Sequence, residues 1–206
     1  TFLLSTYMEN LKNNQEYLDR NFTKLDINEL ALSNVIFEEC EFHQCNFLSA
    51  ELLHCKFVHC LFEKCNLSLA NFPNTRFSNT EFVGCKLVGI DWTKAHWPKF
   101  DLYSQLSFKN SILSGCNFFG LKLSESIFEE CRLHDVDFRN AELQRSLMIG
   151  SDFSNSLFMQ TNLEGVDFTH SHSFDIDIRQ NKMTKAIFSK IEALDLLKYL
   201  DIKLID

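Results

Sequence analysis

From Phe22 to Phe188 the chain is patterned in fives. Large apolar residues stand at Phe37, Phe42, Phe47, Leu52, Phe57, Phe62, Leu67, Phe72, Phe77, Phe82 and Leu87. Two places before each is a small one: Val35, Cys40, Cys45, Ala50, Cys55, Cys60, Cys65, Ala70, Thr75, Thr80 and Cys85. The large positions reach back through Leu32, Ile27 and Phe22 to Tyr17, and forward to Trp92, Trp97 and Leu102. The phase then slips by one residue between Tyr103 and Ser107 and resumes at Phe108. Of the thirty-four central positions between Phe22 and Phe188, Ser173 is the one polar residue. This period fits neither a helix, at about 3.6 residues, nor a strand, at about 2.0. A fixed internal period marks a solenoid.

The run of small residue, Asp/Asn/Glu, Leu/Phe and two variable positions resembles the pentapeptide-repeat family, from about Phe22 to Phe188. The resemblance implies an all-β fold, a right-handed quadrilateral β-helix with four pentapeptides per coil, one on each face. It also implies that the central and small residues point inward and the other three outward. The outward positions agree, being mostly polar (Glu38, Glu39, Glu41, His43, Gln44, Asn46). Large and small must alternate inside a square coil because its bore cannot hold two large residues per side. Stacked at about 4.8 Å, about 8.5 coils make a rod about 40 Å long.

The boundaries follow from the period. Residues 1–16 lack it and are expected to cap the first coil, with weak helical spacing at Met8 and Leu11. Residues 17–188 form one solenoid, with a phase break near 98–107 expected as a one-residue bulge. Large residues at small positions (Arg20, Leu25, Leu30, then Ile90, Phe100, Leu106) mark irregular coils. Trp92 and Trp97 read as fillers of a locally widened core rather than a binding feature. Residues 189–206 read as an α-helix and tail: Ser189 as N-cap with Glu192 as its capping-box partner, then Ala193, Leu196, Leu197 and Leu200 on one strip and Ile191 and Leu194 on another. The alternating tail from Asp201 to Asp206 reads as a short strand. One helix face should cap the last coil and the other needs a partner. The ending resembles the quinolone-resistance branch of the family, which implies a homodimer through Ile191, Leu194, Leu197 and Leu200; the alternative is a cap on a monomer.

Composition narrows the function. The net charge of −8 argues against nucleic-acid binding through a basic surface. No apolar run approaches membrane-spanning length, and the opening Thr-Phe-Leu-Leu is too short for a signal peptide. All eight cysteines precede a central residue by two places. They serve as small apolar fillers, free thiols in a reducing cytoplasm. His43, Cys45, His54, Cys55, His59 and Cys60 form a metal cluster on paper, but the phase puts the cysteines inside and the histidines outside, so they cannot converge. Ser126, Ser146, Ser151 and Ser156 fall at inward positions where none can act as a nucleophile. His170 and His172 read as surface residues. No cofactor and no catalytic residue is expected, and the protein reads as non-enzymatic.

The resemblance implies a DNA mimic: an acidic rod that occupies the DNA-binding saddle of a type II topoisomerase, DNA gyrase or topoisomerase IV, as a gyrase inhibitor or quinolone-resistance protein. Two rods end to end would span about 80 Å, or about 24 base pairs. Outward carboxylates on one or two faces would carry the contact: Glu125, Glu129, Glu130, Asp135, Asp137, Asp152 and Asp167. Gyrase-protecting members usually carry two loops between coils, whereas a one-residue slip aligns this chain with loop-free members. The alternative function is a structural or adaptor protein, immunity- or effector-like, with an unrelated protein partner. Gathered carboxylate stripes would favour mimicry, and mixed charge would favour the adaptor.

Overall fold

The computed structural model describes residues 11–97, 106–203 and 205. Every strand pair is parallel, and residues twenty apart stack. We number the four faces in chain order by their first central residues: Tyr17, Phe22, Ile27 and Leu32. On the first face Glu16–Leu18, Ile36–Glu38, Lys56–Val58 and Arg76–Ser78 form a four-stranded ladder. On the second, Asn21–Thr23, Glu41–His43, Leu61–Glu63, Thr80–Val83, Leu106–Lys109 and Ile127–Glu129 form a six-stranded one. The third face is joined mainly by single bridges, such as Asp26 to Asn46 to Asn66 to Lys86. The fourth begins with Ala31–Ser33 paired to Glu51–Leu53 and continues in single bridges. This is the quadrilateral β-helix that the family resemblance implies.

The core is a set of columns. Phe22, Phe42, Phe62, Phe82, Phe108 and Phe128 stack with neighbouring centroids 4.6–5.2 Å apart. Between the columns sit the small residues, and they do more than fill space. At the small positions each buried hydroxyl or thiol except Ser126 donates to the carbonyl of the preceding face's central residue one coil back. Cys65 Sγ donates to Phe42 O (3.2 Å), Cys131 Sγ to Phe108 O (3.3 Å), Ser151 Oγ to Phe128 O and Ser146 Oγ to Leu123 O. Several also accept a backbone N–H from twenty residues earlier, as Ser151 Oγ does from Cys131 (3.0 Å) and Ser156 Oγ from Val136 (3.0 Å). Alanine cannot do either, so the preference for Cys, Ser and Thr has a hydrogen-bonding cause beyond size.

The corners are turned by a left-handed residue two places after each central one. Lys24, Glu39, Gln44, His54 and Leu69 have φ between 54° and 58°, and all six glycines of the sequence occupy the same position, with φ between 63° and 71°. A side chain in this region is strained. The neighbouring coils hold it there: Glu39 N donates to Val58 O and Leu69 N to Val88 O.

Four features differ from the sequence expectation. The phase break is larger than a one-residue bulge. Phe82 pairs with Phe108, Lys86 with Ile112 and Asp91 with Asn117, a separation of twenty-six instead of twenty. Six residues between Trp97 and Phe108 therefore stand outside the coil count. The five-residue phase hid them because six is one pentapeptide plus one. Residues 98–105, which include Phe100 and Leu102, lie outside the described set.

Second, Ser173 is not a central residue. It is exposed at φ 58°, and Phe174 fills the core against Phe168 and Phe188. Ile176, rather than Ile178, then pairs with Phe158. Third, residues 11–16 are no helical cap. Asn14 N donates to Ser33 O and Ile36 N to Gln15 O, so the first coil already includes them. Residues 1–10, with Met8, lie outside the described set.

Fourth, the C-terminal helix, Glu192–Leu200, is a 3₁₀ helix with Ile191 at its N-cap and no side-chain cap bond. The predicted capping box does not form, because Ser189 Oγ accepts from His170 N in the coil below (2.8 Å). Nor does the tail form a strand; residues 201–203 and 205 are irregular.

Candidate functional site

Among the described residues the interior offers no reactive group to solvent. All eight cysteines are buried and unpaired. Burial pushes the Cys60 and Cys131 thiols up to about 12, so they stay protonated. Ser146, Ser151 and Ser156 are buried and spend their hydroxyls on backbone carbonyls. His43 lies on the outside, between Glu41 and Glu63 at 2.9 Å each. Among the described residues no three His, Cys, Asp or Glu side chains converge as metal ligands. Trp92 is wholly buried among Phe72, Phe77, Phe82, Phe108 and Phe118, and Trp97 Nε1 donates to Trp92 O (2.8 Å). The pair is core, as its place in the repeat predicts.

The seven carboxylates do not gather on one or two faces. Glu125 stands on the first face, Glu129, Glu130 and Asp167 on the second, Asp135 and Asp152 on the third, and Asp137 on the fourth. This corrects the expected stripe. The cause is the spacing: the seven positions are not separated by multiples of twenty, so they do not stack in one column.

Several of the seven are also matched by cations. Arg145 holds Glu125 at 2.6 Å, and Arg139 grips Asp137 through Nε and Nη2 at 2.9 and 2.7 Å. His134 Nε2 lies 2.6 Å from Asp152 Oδ2. Burial raises the Asp152 carboxyl, but hydrogen bonds from Ser154 and His134 outweigh it and hold the group at about 2. Lys109–Glu81 and Lys122–Glu142 continue the mixing on other coils.

The C-terminal helix lies on the last coil. Tyr199 Oη donates to Asp175, Lys198 Nζ pairs with the same carboxylate at 2.6 Å, and Leu196 packs on the core. Ile191, Leu194 and Leu200, three of the four expected dimer residues, are 77%, 52% and 38% exposed. Leu197 is half-buried on the strip with Leu196.

Two hollows flank this end. One, about 620 Å³, is a polar groove lined by Asn140, Gln144, Gln160, Asn162, Gln180 and Lys182 among others. It exists because four residues span Ile176 to Gln180 where two span Phe158 to Gln160 below, so the corner juts out. The other, about 280 Å³, lies on the fourth face under Tyr199. Sequence reasoning missed this area, although its signal was legible: Phe119, Leu157 and Met159 are apolar residues at outward positions of the frame.

A family model described as a pentapeptide repeat region matches residues 35–103 and 101–168. No curated protein matches the sequence. Among solved structures the chain is similar to QnrB1, described as a plasmid-mediated fluoroquinolone resistance protein. One trypsin-treated variant aligns with a TM-score of 0.71 at 21% identity, over 95% of this chain and 99% of that one. A second aligns with a TM-score of 0.65 at 24% identity, over 94% and 93%. The full-length form aligns with a TM-score of 0.59 at 22% identity, over 91% and 100%. At these identities the likeness is one of fold.

Proposed function

This chain belongs to the pentapeptide-repeat family, and on that premise we propose that it is a non-enzymatic acidic rod whose role is to bind another protein. The best specific partner is a type II topoisomerase, with the rod standing in for DNA in the manner of a quinolone-resistance protein. The observation that carries the reading is near whole-length: the chain aligns with a fluoroquinolone resistance protein over 95% of its own length and 99% of that protein's. Two features add support. The net charge of −8 would draw the rod toward a basic saddle at low salt. The twenty-six-residue separation of Phe82 and Phe108, six more than between other coils, brings the chain nearer to loop-bearing members than its sequence phase implies. The exposed Ile191, Leu194 and Leu200 suit a helix-to-helix homodimer.

The test is inhibition of DNA gyrase supercoiling by micromolar protein, with and without a fluoroquinolone, at two salt concentrations. Inhibition that weakens as salt rises supports the reading; no effect under any condition ends it. Light scattering on wild type and Leu194→Glu tests the dimer, which requires a wild-type dimer and a monomeric variant.

One observation favours the second reading, an adaptor with an unrelated protein partner. The carboxylates are interleaved with Lys, Arg and His on every face and paired with them at 2.6–3.6 Å. An absence of gyrase inhibition at every salt concentration would point the same way.

A further inference from the structure

The fourth face carries a surface unlike the rest of the rod. At its outward positions stand Phe119, Leu157 and Met159, 46%, 48% and 41% exposed. Phe119 is the one solvent-facing phenylalanine among the described residues. Phe119, Arg139 and Met159 follow one another at twenty-residue intervals, so they stand one above the other in successive coils about 4.8 Å apart. The Arg139 guanidinium lies over the Phe119 ring, 5.8 Å from its centroid. Beyond Met159 the surface dips into the hollow of about 280 Å³, whose apolar wall is Leu157, Phe158 and Met159 and whose far side is Tyr199. That volume falls below the roughly 300–1,000 Å³ of small-molecule sites and suits a single side chain.

The charges here cancel locally. Asp137 is gripped by Arg139, Asp177 by Arg179 through Nε and Nη2 at 3.0 and 2.9 Å, and Asp175 by Lys198 at 2.6 Å. Three carboxylates thus meet three cations, on a protein whose net charge is −8. A basic partner finds nothing to match here, and neither does an acidic one. Exposed Phe and Met with a half-buried Tyr around paired arginines is the composition that binding surfaces concentrate at their centres, with the polar groups as a rim.

The geometry points to a protein-docking surface on the fourth face that takes a neutral apolar side chain, leucine- or phenylalanine-like, of a partner protein into the hollow beneath Tyr199. The inference rests on the rod being a protein-binding surface but not on which protein binds. It also gives that surface a centre that is apolar instead of acidic.

The test uses the full chain, its methionines carrying ¹³C in the methyl group, titrated with N-acetyl-phenylalaninamide. The Met159 methyl group should shift saturably in the millimolar range. Fully buried Met148 should stay still and report an intact fold. Leu157→Ser, at an exposed position, should weaken the probe at least tenfold while leaving the Met148 signal in place. Absence of a saturable shift at Met159, or equal shifts at both methionines, overturns the proposal. A Met159 signal that moves when the protein alone is diluted also overturns it, since the occupant is then a second copy of this chain. None of these outcomes involves gyrase, so failure of the titration and failure of the supercoiling assay are distinguishable.

Discussion

Two serines at equivalent inward positions should respond in opposite directions to the same change. Ser151 is fully buried. Its Oγ donates to Phe128 O (2.9 Å) and accepts from the Cys131 N–H (3.0 Å), which has no other acceptor among the described residues. Ser151→Ala removes both bonds and leaves a buried N–H unmatched, at a cost of about 1–3 kcal/mol on top of a net bond worth about 1 kcal/mol. A destabilisation of about 2–3 kcal/mol lowers the melting midpoint of a chain this size by about 5–10 °C. Ser126 is equally buried, but its Oγ has no partner among the described residues, and its own N–H is served by Leu123 O (3.2 Å). Ser126→Ala removes a desolvated hydroxyl that gains nothing from being there, so it should be neutral or stabilise by about 1 kcal/mol. Circular dichroism melts of wild type and both variants decide the matter. Two downward shifts of equal size would show that the inward hydroxyls act only through volume. An unchanged Ser151→Ala midpoint would show that the coil-to-coil bonds contribute nothing.

Three further changes have defined outcomes. The Glu41 hydrogen bond, with Glu63 beyond it, raises the His43 pKa despite partial burial. The bridge therefore stabilises fully below the unfolded value near 6.5 and is lost as pH rises through the folded value, so the wild-type midpoint should fall between about pH 6 and 8 more than that of His43→Gln. Leu69 is exposed in a left-handed conformation at φ 58°; Leu69→Asn should raise stability by about 0.5–1 kcal/mol, read as a higher urea midpoint with an unchanged slope. Trp92 Nε1 is buried with no oxygen or nitrogen acceptor, only an interaction with the Cys116 sulfur, so Trp92→Phe trades lost volume against a relieved N–H. It should cost under about 1.5 kcal/mol, where Trp92→Ala costs about 3–5 kcal/mol by denaturant titration.

The five-residue alternation alone determined the solenoid, the inward thiols, the outward histidines and the buried role of Trp92, because side-chain direction in a β-coil is fixed by position within the repeat. It left open what depends on which residues meet across coils. Phe108 stacks on Phe82 with six residues to spare, since hydrogen-bonded registry between coils outranks sequence phase. Phe174 displaces Ser173 from the core because an aromatic gains more from the Phe168–Phe188 column than a serine does. Ser189 accepts from His170 N in the last coil, and the helix begins two residues later with Ile191 at its N-cap. The sorting of Glu125, Asp137 and Asp152 onto three faces, each beside its own cation, also follows from the stacking of coils. Glu125 and Asp152 meet cations twenty and eighteen residues away, Arg145 and His134, where no local pattern reaches.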